Sequence, residues 1–266
     1  MRHNPVKAKL RDGKPVFGAW LSLGDLHTAK MLARAGFDWL LIDLEHSPID
    51  WFEASVLIDT VAETGCVPIV RVPEGNHHYI KRAVDAGAWG IMAPMIDTAE
   101  HAQQVIAAAK YPPQGNRSVG AYLPMVTFDA TPEEYLYQAN DEILVVLQIE
   151  SPHGIRNMDA ICQLPGCDVA FIGTYDLWRN LPPSADGKRA PREDLESAIA
   201  QILSIGRNHG TPVGIFTLSA EEAASRAQQG FLMPAAGSDA GMLAAKLAEE
   251  TARLSLRHRG EIGRYS

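Results

Sequence analysis

A (β/α)8 barrel is the fold class that this sequence predicts, and three observations predict it. Eight short apolar runs alternate with longer stretches of helical periodicity, the order expected for βα units around a parallel sheet. Most of the runs are nearly continuous in apolar residues, as strands covered on both faces should be. Doubly wound sheets share the alternation, but eight runs and the lack of a glycine-rich dinucleotide fingerprint favour closure into a barrel.

The strand candidates, in order, are VFGAWLS (16–22), WLLIDL (39–44), VPIVRV (67–72), GIMAPM (90–95), ILVVLQIE (143–150), DVAFIG (168–173), PVGIF (212–216) and FLMPAA (231–236). Between them lie the helix candidates LHTAKMLARAG, FEASVLIDTVAETG, HHYIKRAVDAG, AEHAQQVIAAAK, GIRNMDAICQL, REDLESAIAQILSIGRNHG and AEEAASRAQQG. Several end in glycine, the usual helix stop before the next strand. In the longest, Leu195, Ile199, Ile202 and Leu203 recur at helical spacing and form the sheet-facing stripe. A final helix, at about 238–256, completes the eighth unit and runs on past the length one strand needs, which leaves its end to dock on a neighbouring subunit. Residues 111–132 and 178–192, rich in Pro, Gly and polar residues, read as long loops of the kind that carry function. No repeat or linker divides the chain, so residues 1–266 are expected to form one barrel domain.

Composition narrows the function classes. Cys66, Cys162 and Cys167 have no paired spacing, which argues against a disulfide framework and points to a reducing cytoplasm. The basic N-terminus has no apolar signal region, and nowhere do eighteen apolar residues run together, so neither that secretory route nor a membrane span is expected. A net charge of −8 with scattered basic residues offers no stripe for a phosphate backbone, which sets nucleic acid aside as a partner.

Active sites of parallel barrels lie at the C-terminal ends of the strands. Strand ends here carry Trp20, Glu45, His46, Arg71, Gln148, Glu150 and, just beyond strand six, Asp176. Glu150 and Asp176 each follow an apolar run, and buried carboxylates need a positive partner. A hard divalent cation such as Mg²⁺ or Mn²⁺ fits oxygen ligands; an arginine, Arg156 or Arg179, is the alternative. His46 reads either as a general base or as a structural histidine, and His77, His78, His101, His153 and His209 read as structural. Arg71 stands within an apolar strand, where it either balances a developing oxyanion or pairs with Asp43 or Glu45. No strand run contains a lysine, so enolate chemistry here calls for a metal rather than an imine.

The segments FDWLLIDLEHSPID, PIVRVPEGN, IMAPMIDTAEHAQQVIAAAKYPPQGNRSVGAY, VVLQIES and VAFIGTYDL, in this order between about residues 16 and 245, resemble the HpcH/HpaI aldolase family. The resemblance implies a TIM barrel of the phosphoenolpyruvate/pyruvate type. It implies a class II lyase that reversibly cleaves 4-hydroxy-2-oxoacids to pyruvate and an aldehyde through a metal-stabilised pyruvate enolate. It further implies Glu150 and Asp176 as ligands of Mg²⁺, Mn²⁺ or Co²⁺, His46 as general base, Arg71 as the enolate-stabilising arginine, and Asp85 as the acid that raises the basicity of that histidine. Gln148, Tyr175, Asp176, Phe216 and Trp20 are placed with the substrate, and a homo-oligomer, as a hexamer, is implied. After strand six the family commonly reads Gly-Pro-x-Asp-Leu, whereas this chain has GTYDLWR, so the aldehyde is left open at Tyr175, Trp178 and Arg179. Oxaloacetate decarboxylation on the same site and a non-catalytic metabolite-binding barrel are the alternatives.

Overall fold

The computed structural model describes residues 1–120, 122–184, 187–254 and 256. All eight apolar runs become strands: β1 (Gly18–Leu21), β2 (Trp39–Asp43), β3 (Val67–Arg71), β4 (Gly90–Ala93), β5 (Leu144–Ile149), β6 (Val169–Ile172), β7 (Val213–Thr217) and β8 (Met233–Ser238). Each pairs in parallel with its sequence neighbour, and β8 returns to β1, so the sheet closes as an eight-stranded barrel. The helices around it are α1 (Pro5–Arg11), α2 (Leu26–Arg34), α3 (Trp51–Ala62), α4 (His77–Asp85), α5 (Ala99–Ala109), α6 (Leu123–Thr127), α7 (Pro132–Glu142), α8 (Pro152–Cys162), α9 (Thr174–Asn180), α10 (Arg192–His209), α11 (Ala220–Gln228) and α12 (Asp239–Arg253).

Four of these helices depart from the expected pattern, and each has a local cause. Asn4 caps α1 through the N–H groups of Val6 and Lys7, with Pro5 in the first turn. The segment 111–132 is not a bare loop, since α6 lies within it and α7 follows. Proline there starts helices rather than breaking them, because its missing N–H is one the first turn leaves unbonded anyway. Thr131 and Glu134 complete a capping box on α7. The fourth, α9, starts immediately after β6 and carries Asp176 on its first turn.

Inside the barrel, alternate residues of each strand point to the axis, and large rings fill it where small neighbours allow. A Cβ at Gly18 would meet the Trp39 ring at 2.1 Å, and one at Gly214 would meet Phe171 at 2.3 Å. Trp20 bridges the rings, 5.8 Å from Trp39 and 5.0 Å from Phe216 between centroids. At the N-terminal end of the strands, α1 closes the barrel. Buried Lys7 donates to the Ile143 carbonyl and to Asp168, both at 2.9 Å, and Asn4 donates to the carbonyls of Trp89 and Glu142. With that end plugged and the middle filled by rings, the opposite end is left for polar side chains.

The last helix, α12, meets the barrel through its first turn. Asp239 accepts the N–H groups of Ser22 and Leu23, while further along the helix Leu243 and Leu247 are exposed. Among the described residues, no helix is long and apolar enough to cross a membrane.

Candidate active site

Asp43 and Arg71 end consecutive strands in register, which brings carboxylate and guanidinium side by side. Arg71 Nε donates to Asp43 Oδ1 at 2.9 Å and Nη2 to Oδ2 at 2.7 Å, a two-pronged bond that fixes the plane of the guanidinium. Glu45 Oε2 lies 3.1 Å from Arg71 Nη1, at an angle too poor for a directed hydrogen bond. Burial alone would weaken the Arg71 guanidinium as a base, but the hydrogen bonds and charge of Asp43, with Glu45 and Glu150 beyond, outweigh it and raise its pKa. Asp43 also accepts the N–H groups of Glu45 and His46, and this turns the chain outward. His46 is consequently on the rim, 63% exposed, with Nε2 3.7 Å from Glu45 Oε1.

Across the barrel, Gln148 and Glu150 share the inward face at the end of β5, where the period-2 alternation places both. Glu150 is only 2% exposed. Its Oε1 accepts the Met95 N–H at 2.7 Å and its Oε2 accepts the Gln148 amide. Burial, reinforced by the negative charges of Asp176 and Glu45, pushes the Glu150 carboxyl up to about 7 despite those two donors. Glu45 is likewise pushed up to about 7, first by burial and then by Asp43 and Asp176, against the pull of Arg71. Asp176, on the first turn of α9 three residues beyond Gly173, acts on both glutamates through its charge. Gln148 Oε1 is buried with no hydrogen-bond partner.

The backbone makes room for this cluster. A Cβ at Gly173 would stand 2.1 Å from Glu150 Oε2 and 2.5 Å from Gln148 Nε2, so only glycine fits. Met95 adopts φ +52°, a left-handed conformation that is strained for a side-chain-bearing residue, and its N–H is the one that meets Glu150. Neither feature has a signature in the residue types alone, apart from the glycine that follows the apolar run of β6. Beside the acids, Tyr175 faces Phe216 at 6.2 Å, Phe216 faces Trp20, and Trp20 lies 5.9 Å from the Arg71 guanidinium, forming one aromatic wall.

A family model for HpcH/HpaI aldolase/citrate lyase matches residues 17–245, nearly the whole barrel. The chain belongs to the HpcH/HpaI aldolase/citrate lyase family. Among its relatives, a hydroxypyruvate/pyruvate aldolase of Deinococcus radiodurans is 39% identical over 84% of this chain and 79% of the relative. A 2-keto-3-deoxy-L-rhamnonate aldolase of Klebsiella pneumoniae is 37% identical over 78% of each. The crystal structure of an HpcH/HpaI aldolase/citrate lyase family protein from Burkholderia cenocepacia superposes with a TM-score of 0.86 at 32% identity, covering 95% of this chain and 100% of that one. As an HpcH/HpaI protein the chain is a carbon-carbon lyase, which sets aside a non-catalytic barrel.

In this HpcH/HpaI barrel, Trp20, Arg71, Gln148, Glu150, Tyr175, Asp176 and Phe216 gather at one end, with His46 on its rim. Asp85 does not join them. It lies at the end of α4, paired with Arg117 at 2.9 Å, because a helix that follows a strand runs back to the opposite end of the barrel. Within one chain the acid beside His46 is Glu45. His101 bonds the Gly75 carbonyl and His209 pairs with Asp159, both away from the acid cluster. Two open depressions, of about 460 and 420 Å³, flank the N-terminal segment at the plugged end, so it is chemistry rather than concavity that singles out the acid cluster.

The donor set suits a hard cation. Among the described residues neither Glu150 nor Asp176 has a lysine or arginine within salt-bridge distance, so neither Arg156 nor Arg179 neutralises them, while Arg71 pairs with Asp43 and Glu45. No group of three or more His, Cys, Asp or Glu is arranged around a common metal position among the described residues. Two carboxylates would leave the remaining positions of such a cation to water and substrate, as Mg²⁺ sites commonly do. The orphaned Gln148 Oε1 and the Glu150 carboxyl, raised by burial, are groups that an added positive charge would satisfy.

Proposed function

We propose that the chain is a divalent-metal-dependent aldolase that reversibly cleaves 4-hydroxy-2-oxoacids to an aldehyde and pyruvate, or hydroxypyruvate as the Deinococcus radiodurans relative's name suggests. The observation that carries this reading is the buried Glu150 carboxylate, which has Asp176 beside it, no cation paired to it, and a rigidly held Arg71 near by. Glu150 and Asp176 would hold Mg²⁺, Mn²⁺ or Co²⁺, which supplies Lewis acidity toward the keto oxygen of the substrate.

The chain's own groups account for the rest. Asp43 takes two of the five Arg71 N–H groups and Glu45 stands against Nη1 without a directed bond, so three remain for the keto oxygen on which negative charge grows as the C3–C4 bond breaks. His46 takes the proton from the C4 hydroxyl at Nε2, the aldehyde leaves, and a proton returned to C3 of the enolate completes the product. Gln148 presents Oε1 as an acceptor for a substrate hydroxyl or a water. Trp20, Phe216 and Tyr175 exclude water from one side, and Trp178, anchored by its indole N–H to the Ala190 carbonyl at 2.7 Å, stands with Arg179 where the aldehyde portion enters. Assembly into a homo-oligomer, a hexamer on the family resemblance, belongs to the same proposal; the exposed leucines of α12 support it, and sedimentation velocity tests it.

The decisive experiment is pyruvate release from a panel of 4-hydroxy-2-oxoacids by chelator-stripped protein, with and without Mg²⁺, Mn²⁺ or Co²⁺. Cation-dependent release supports the aldolase. Full activity without any cation overturns the metal assignment, and oxaloacetate decarboxylation without aldol cleavage moves the reaction to the alternative use of the same enolate.

A further inference from the structure

Helix α9 is anchored differently from its counterparts. Each of the other seven helices that next follow a strand opens with a side chain capping its first turn, from Asp25 on α2 to Ser238 on α12. The residue before α9 is Gly173, with no side chain to cap it, because a Cβ there would collide with Glu150 and Gln148. The helix is also only seven residues long, too short to persist by its own hydrogen bonds, and Leu177 is its one buried residue. It nevertheless carries Asp176.

Two hydrogen bonds to neighbouring strands anchor the helix instead. Thr174 Oγ1 donates to the Phe216 carbonyl on β7 at 2.8 Å. Asn180 Nδ2 donates to the Glu150 carbonyl at the end of β5 at 3.0 Å. The first residue of α9 is thus tied to one side of β6 and its last residue to the other, and the second tie ends on the residue whose carboxylate Asp176 accompanies. A proline at position 174 has no hydroxyl and cannot make the first bond.

We propose that Thr174 and Asn180 are positioning residues that clamp α9 between β7 and β5 and thereby set Asp176 against Glu150 at the separation a divalent cation requires. The inference rests on the reading of Glu150 and Asp176 as the cation-holding pair. Groups that orient metal ligands typically change metal affinity by about 10- to 100-fold when removed. Neither residue touches the cation or the substrate in this scheme, and both act through α9.

The test is calorimetric titration of the chelator-stripped full-length protein with Mn²⁺, for wild type, Thr174→Val, Thr174→Ser and Asn180→Ala, with unfolding midpoints measured in parallel. T174V and N180A are each expected to bind Mn²⁺ at least about tenfold more weakly, with T174S restored to the wild-type value because it keeps the hydroxyl. Asn180 is exposed, so N180A tests the clamp even if T174V folds poorly. Wild-type Mn²⁺ affinity in both T174V and N180A overturns the clamp while leaving the metal pair in place. Absence of Mn²⁺ binding by the wild type overturns the metal pair itself, and the clamp with it.

Discussion

In chelator-treated protein, ionising Glu150 should be visible as a loss of stability. Its carboxyl is raised from 4.5 to about 7, chiefly by burial. Between those two values the native state holds a proton that the unfolded chain has released, so unfolding free energy falls as pH rises through this window and levels off above about 7. Each pKa unit corresponds to about 1.4 kcal/mol, which makes the loss roughly 3 kcal/mol for this one group. Glu45 is shifted in the same direction and adds to the trend, but it keeps Arg71 as a partner and is left out of that figure. The perturbation is Glu150→Gln, which cannot ionise. The assay is denaturant unfolding at a series of pH values with chelator present, and the quantity read is the difference between wild type and E150Q, in which the titration of distant groups cancels. Wild type should lose roughly 3 kcal/mol more than E150Q across the window. Adding Mn²⁺ above about pH 7 should restore the wild type, whose ionised pair binds it, and leave E150Q unchanged. Parallel pH dependences for the two proteins would refute the argument, since they would mean that Glu150 ionises in the fold as readily as in the unfolded chain.

Other perturbations address the remaining members of the cluster. Arg71→Lys should lower kcat/KM by at least about 100-fold, because an ammonium cannot fill the Asp43 fork and still face the substrate, and near-normal pyruvate release would return Arg71 to a purely structural role. His46→Ala should slow aldol cleavage by about 10²- to 10⁴-fold while calorimetric Mn²⁺ binding is retained. Loss of Mn²⁺ binding in that variant would make His46 a ligand instead. Gly173→Ala should abolish Mn²⁺ binding or folding, because its methyl group would occupy the position of Glu150 Oε2, and a folded variant that binds normally would show that Glu150 has another place to go. Trp39→Ala should cost about 3–5 kcal/mol in denaturant unfolding, as expected for a fully buried ring at the barrel axis, and a loss under about 1 kcal/mol would contradict the packing described.

The amino-acid sequence by itself determined the barrel. Strands covered by helices outside and by rings inside must be apolar on both faces, and that demand is written in eight runs such as VVLQI and VAFI, all of which form strands. The same logic exposed Arg71, Gln148 and Glu150, polar residues at the ends of apolar strands where only one end of the barrel receives them. Local rules failed where proline and glycine have two meanings. Pro132 opens α7 rather than extending a loop, and Gly173, the last residue of the run expected as strand six, lies beyond β6 as the residue before α9. Tertiary structure alone decided the partners. Arg71 took Asp43 and Glu45 over any other acid because strand register and burial leave it no alternative, and this withheld it from Glu150. Asp85 went to Arg117 because α4 carries it away from His46. In the proposed clamp the approach of Asp176 to Glu150 depends on contacts of the 173–180 segment with Glu150 and Phe216, and of Met95 with Glu150, segments remote in sequence that meet only once the sheet has closed. Apolar periodicity is a property of neighbours along the chain, but the meeting of two carboxylates is a property of the closed barrel.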